Sequence, residues 1–216
     1  MVKIKSKVIV ILLIILVTIL IYPRQKEIKV KQDNKEDIYL VFVSVMDDFV
    51  EETECENIYY NVPLSYELQD FIRDKCEKYE VNMETILSIM FVESNFNKEA
   101  KSKNNIGGNC SVGIMQLNNN YVNWFAELTD IKDFNINNVY HNIEGGIAVY
   151  KNYRDYWEQK GYKDKKLEIY TLNSFNMGIR GYRNYISRTK NIRRSYDRKI
   201  LNYKEEELCE ATNIKN

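Results

Sequence analysis

Glu93 is the side chain with the clearest chemical potential. Ile86, Ile89, Met90 and Glu93 stand at i, i+3, i+4 and i+7, so a carboxylate shares a helical face with three apolar side chains. Partial burial disfavours the ionised form and raises the pKa, which suits a general acid that must hold a proton near neutral pH. The plain alternative is that Glu93, close to a helix end, rolls out to solvent or pairs with a lysine such as Lys98. Periodicity alone favours that alternative.

Other reactive groups are sparse. Cys55, Cys76, Cys110 and Cys209 are widely spaced, there is no C-x-x-C, and His141 is the single histidine. No metal is expected on that pattern, and no cofactor. Outside the cytoplasm the four cysteines can form two disulfides in any of three connectivities or stay as thiols, and spacing does not choose. Lys+Arg and Asp+Glu number 31 each, so no net field recommends a nucleic acid or a cationic partner.

The elements that position Glu93 are helical. With 216 residues, 44% hydrophobic, the chain can bury one domain and carry attachments. Only 8 Gly and 2 Pro leave little punctuation for many strands, and the fold class is mostly α. Lys3, Lys5 and Lys7 precede an apolar run from Val8 to Ile21 whose only polar residue is Thr18. That run is shorter than the ~20 residues of a standard span, so a signal-peptide core competes with a signal anchor. No small-x-small site follows, and Lys7 and Arg24 can snorkel, which favours an uncleaved transmembrane anchor over 1–23. Residues 24–62 are expected to be a stalk and accessory segment. Within it Ile38 to Met46 could form a strand, yet Tyr39, Phe42, Val43, Met46, Phe49 and Val50 also share a helical face, fit either to pack on the main domain or to lie at a bilayer surface. The main domain is expected over 63–205, with 206–216 as a tail. Ser65 can cap a first helix ending near Val81, and Asn82 caps a second from Met83 to about Ser94. Further periodic segments cover roughly 119–129, 139–159, 165–176 and 180–204.

Four short motifs follow in order: Glu93-Ser94, then Phe96-Asn97-Lys98-Glu99-Ala100-Lys101-Ser102, then Gly113-Ile114-Met115-Gln116, and much later Phe175-Asn176-Met177-Gly178. With Asn142-Ile143-Glu144-Gly145-Gly146 and a last helix carrying Tyr196, this succession resembles the soluble-lytic-transglycosylase domain family, relatives of goose-type lysozyme, from about Pro63 to Tyr203. The resemblance implies a lysozyme-like helical fold with Glu93 as sole catalytic carboxylate and Ser102 lining the same cleft. Gly113 would let the backbone approach a sugar. The Gln116 amide would donate to and accept from a polyol bearing N-acetyl groups. Met115 has core packing as an equal alternative to substrate contact. Asn176 and Gly178 both end a helix and shape the cleft wall. Phe175 stands where the family usually has tyrosine, so a hydroxyl is missing there, and Tyr170 or Tyr196 is a candidate to replace it. The stretch between Ser102 and Gly113 looks longer than usual and is expected to form an enlarged loop beside the cleft.

The activity implied is cleavage of the β-1,4 bond between N-acetylmuramic acid and N-acetylglucosamine in peptidoglycan, with closure of a 1,6-anhydro ring. Two alternatives remain: a hydrolase on the same fold, and a wall-binding or assembly protein without catalysis, for which Phe175 is the best support. The substrate would place the domain on the extracytoplasmic side of the membrane.

Overall fold

The computed structural model describes residues 58–102 and 109–208. The chain divides into two units, Met1–Cys55 and Glu56–Asn216. The anchor expected over 1–23, most of the 24–62 segment, the loop after Ser102 and most of the C-terminal tail lie outside the described residues. No helix among the described residues is long and apolar enough to cross a membrane.

Among the described residues six α-helices form the domain: α1 Tyr66–Lys78, α2 Met83–Ser94, α3 Val122–Thr129, α4 Val139–Gln159, α5 Asp164–Thr189 and α6 Ser195–Asn202. Between α2 and α3 lies a two-residue hairpin, β1 Ser111–Val112 paired antiparallel with β2 Leu117–Asn118. The mostly α expectation is met, and the reasons are local. Asn82 caps α2 by accepting from the Thr85 amide at 2.9 Å, and Asn138 caps α4 by accepting from the Tyr140 and His141 amides. Ser65 occupies the N-cap of α1 but makes no capping bond, and α1 ends at Lys78, short of Val81.

α2 is the central helix. Residues Thr85 to Met90 are all buried, so it is enclosed on every side rather than striped. Thr85 and Ser88 take their place there because each hydroxyl has a partner within its own helix end: Thr85 donates to Asn82, and Ser88 to the Glu84 carbonyl. Around it α4 packs on α5 through Trp157, whose Nε1 donates to Ser174 Oγ at 2.7 Å. The rings of Tyr162, Tyr170 and Tyr182 surround the same indole.

The segment expected to be one helix over 180–204 is two. α5 runs on to Thr189, broken only at Gly178 (φ 71°, ψ 157°), and α6 starts afresh at Ser195. Asp197 explains the break: fully buried, it accepts from the Arg194 amide at 2.5 Å and from Asn173 Nδ2 at 2.9 Å, and pairs with Arg193. These bonds pin the non-helical segment 190–194, whose last residue, Arg194, is extended. A carboxylate that caps its own helix from the third position leaves no mark on apolar periodicity.

Glu144, 5% exposed on α4, is held by Lys75 and Lys78 of α1, each at 2.8 Å. Burial raises its pKa, but the hydrogen bonds and charges of the two lysines outweigh burial and keep the carboxyl below its usual range. A depressed folded pKa adds stability above the unfolded value, and that stability is lost as pH falls through the folded one. Glu144→Gln is therefore expected to destabilise the domain by ~2 kcal/mol at neutral pH, less than the ~3–5 kcal/mol of a fully buried pair because the lysines touch water. Denaturant melts at neutral pH and below ~4 check this, since the difference between wild type and variant must shrink in acid.

Cys76 and Cys110 are both free thiols, and burial pushes the Cys76 thiol up to about 12. Cys55 and Cys209 lie outside the described residues.

Candidate active site

Glu93 occupies the last turn of α2, and its setting follows from how that helix stops. Asn95 and Phe96 both take left-handed backbone, φ 50° and 60°, turning the chain sharply, with the Asn95 amide donating to the Phe91 carbonyl at 2.8 Å. Ser94 Oγ donates to the Ile114 carbonyl at 2.8 Å, which fastens the end of α2 to the Gly113–Gln116 turn. Glu93 neither rolls out to solvent nor pairs with Lys98: it is half-buried, and its Oε1 accepts from the Tyr196 hydroxyl at 2.5 Å.

Burial raises the Glu93 pKa above the ordinary carboxylate range, and the Tyr196 hydrogen bond opposes that without cancelling it. Tyr196 is itself buried, and burial, followed by the charge of Glu93, pushes its phenol well up, so it remains a neutral donor. Of the two tyrosines weighed as substitutes for the hydroxyl missing at Phe175, Tyr196 reaches the acid. Tyr170 is buried elsewhere, stacked on Tyr162 with centroids 4.2 Å apart.

Gly113 has φ 78°, and a Cβ there would lie 2.4 Å from Asn142 Nδ2. On the side where a Cβ would project, the space at Gly113 is thus filled by Asn142, a fully buried hub. Its Nδ2 donates to the carbonyls of Val112 and Ile136, and its Oδ1 accepts from the Met115 amide. Of the two readings open for Met115, core packing is the one seen: its side chain is fully buried against Gly146, where a Cβ would come within 2.6 Å. Gln116 keeps a place at the surface of the site with a narrower capacity than expected. Its Nε2 donates to the carbonyls of Ala100 (3.1 Å) and Gly113 (2.9 Å), so Oε1 is left to accept. Ser102 pairs with Ser111, accepting from its amide and donating its own amide to its carbonyl, both at 2.9 Å. It closes the base of the loop, while Ser111 is the one that faces the cavity.

That cavity has a volume of about 660 Å³ and is lined by Gln116, Tyr121, Trp124, Tyr153, Phe175 and Asn176 among others, with no Asp or Glu among the described lining residues. Gly178 kinks α5 at its edge; nothing crowds the glycine, so backbone rotation rather than space requires it there. Glu93 is not itself in the wall. Two short links join them: Ser94 to the Gln116 turn, and the segment from Arg194, whose Nη1 donates to Asn176 Oδ1 at 2.7 Å, to Tyr196 on Glu93. Arg194 and the aromatic trio Tyr121, Trp124 and Tyr153 were not singled out by the sequence. Their only signal was aromatic residues outside an apolar period, and Tyr121 is 56% exposed.

The arrangement can donate and later reclaim a proton at Glu93, while fixed amides and aromatic faces hold a polar, ring-shaped ligand.

Known proteins of one family share this mostly helical fold with the chain. The profile of the transglycosylase SLT domain matches residues 70–197, more than half of the chain, and the chain belongs to that family. Among solved structures it is similar to the 70 kDa soluble lytic transglycosylase from Escherichia coli, with 18% identity and a TM-score of 0.52. An inactive mutant of the lytic transglycosylase Slt from Pseudomonas aeruginosa gives 15% identity and the same TM-score of 0.52. The 70 kDa enzyme in complex with bulgecin A matches at 18% and 0.52. In each case 66% of this chain is covered and 24% of the other, so the chain spans about a quarter of those proteins. At such identities the likeness is one of fold. No curated protein sequence matches the chain significantly.

Proposed function

We propose that the chain is a peptidoglycan lytic transglycosylase, an enzyme that cuts glycan strands between N-acetylmuramic acid and N-acetylglucosamine. The observation that carries this is Glu93, half-buried at the end of α2, its pKa raised by burial and its carboxyl held by Tyr196. Membership of the SLT family supports the substrate class.

In the reaction, protonated Glu93 gives its proton to the bridging oxygen as the bond to muramyl C1 breaks. The substrate's own acetamido oxygen bonds to C1 and holds the cationic centre. The Glu93 carboxylate then takes the proton of the muramyl 6-hydroxyl, O6 attacks C1, the acetamido bond to C1 breaks, and a 1,6-anhydro ring closes. Atoms balance without water, and Glu93 ends protonated. Many glycosidases need a second carboxylate to activate water or to form a covalent intermediate. No second carboxylate of this chain matches the family motifs, so this reading keeps Glu93 in both roles. The fixed amides suit the acetamido group: Gln116 Oε1 can accept its N–H, and Asn176, its Oδ1 engaged by Arg194, presents Nδ2 to its carbonyl. The hydroxyl missing at Phe175 does not argue for a pure binder, because Tyr196 supplies one.

Peptidoglycan lies outside the cytoplasm, so this reading puts the domain on the extracytoplasmic side, tethered through residues 1–23. Its direct test is release of soluble muropeptides from purified sacculi by the full chain; binding without release would favour the wall-binding alternative. Tyr121→Ala removes an exposed ring from the cleft wall and is expected to raise KM about fivefold with little change in kcat. Steady-state kinetics on soluble glycan strands measure the split.

A further inference from the structure

Asn176 sits on an exposed turn of α5, where an amide side chain would ordinarily rotate freely, yet it is held. Arg194 Nη1 donates to its Oδ1 at 2.7 Å. The arginine is in turn fixed at three points along its length. Its amide donates to the fully buried Asp197 at 2.5 Å, its guanidinium lies 5.4 Å over the ring of Tyr185, and its tip meets Asn176. Tyr185 is itself anchored by donating to the Arg193 carbonyl at 3.2 Å. Rotating the Asn176 amide by half a turn would set its NH2 against the guanidinium, so only one orientation is compatible with this contact.

We propose that Arg194 is a positioning residue, which locks the Asn176 amide with Nδ2 available to the cleft and ties that wall through Tyr196 to the acid. It acts through Asn176 on the binding of an N-acetylated sugar rather than on the proton transfer. The link to sugar rests on the function proposed above, whereas the lock on the amide does not.

The test is a double-mutant cycle read in binding. In the full chain carrying Glu93→Gln, so that nothing is turned over, affinity for the tetramer of N-acetylglucosamine is measured with and without Arg194→Met, in the presence of Asn176 and after Asn176→Ala. Arg194→Met is expected to weaken binding about tenfold when Asn176 is present and less than twofold when it is absent. Arg194→Lys, which keeps a charged donor, should recover part of the loss. Equal losses in both backgrounds, or none in either, would overturn the inference. The Asn176 side-chain amide protons, identified by their disappearance in Asn176→Ala, give a readout that needs no sugar. Arg194→Met should collapse that pair of NMR signals toward free-amide positions. If it does and the parent binds no sugar, the lock stands and the glycan function falls; if the signals do not move, the lock is wrong whatever the protein cleaves.

Discussion

Glu93→Gln is expected to lower kcat on glycan strands by about 10²–10⁴-fold, the range over which a positioned proton donor accelerates such reactions. The amide is nearly isosteric and can still accept from Tyr196, so the fold and the cleft should persist. It cannot deliver a proton to the leaving oxygen or withdraw one from the 6-hydroxyl. KM should change little, because the near-isosteric amide leaves the residues that line the neighbouring cavity in place. Stopped assays of muropeptide release, with thermal melts as a control on folding, measure the loss. Near-normal turnover in a folded variant would remove Glu93 from the mechanism.

Tyr196→Phe should have the next largest effect, and it carries a pH signature. The phenol donates to the ionised form of Glu93 and so lowers the acid's pKa from the level that burial alone would set. Without it that pKa rises further. Activity that requires protonated Glu93 falls as pH rises through this pKa, so the alkaline limb of kcat/KM must move to higher pH in the variant. At the same time the carboxylate loses a charged hydrogen bond of ~1.5–3 kcal/mol that fixes its orientation. A fall in kcat of roughly 10–100-fold at neutral pH is therefore expected. An unmoved alkaline limb with unchanged kcat would show that the contact is incidental.

What could be read from the sequence divides along physical lines. The capped start of α2 was legible because Asn82 acts on a residue three positions away, and the end of the same helix because Ser94 closes its motif. Glu93 was ambiguous by periodicity, since α2 is enclosed all round and has no polar face to compare against; the ordered motifs, not the helical stripe, singled it out. The packing around Gly113 and Met115 was not legible for a common reason. Each is shaped by a partner about thirty residues away on α4, Asn142 and Gly146, and such packing is invisible to local spacing. Tyr196 was legible only as one of two candidates, because its 103-residue separation from Glu93 depends on where the 190–194 segment is pinned. The pin, Asp197, is a buried carboxylate satisfied by Arg193, the Arg194 amide and Asn173, and nothing in its neighbours' types announces it. The same pin carries Arg194 to Asn176, which is why that contact went unread as well.

The most direct test of the central claim is the chemistry of the new ends. Purified peptidoglycan digested by the full chain and by its Glu93→Gln variant would be resolved by mass spectrometry of the released muropeptides. Muramyl ends lighter by one water, the anhydro form, made by the Glu93 protein and not by the variant, are the predicted result. Reducing muramyl ends would instead show that water attacks C1, contradicting ring closure by a single carboxylate.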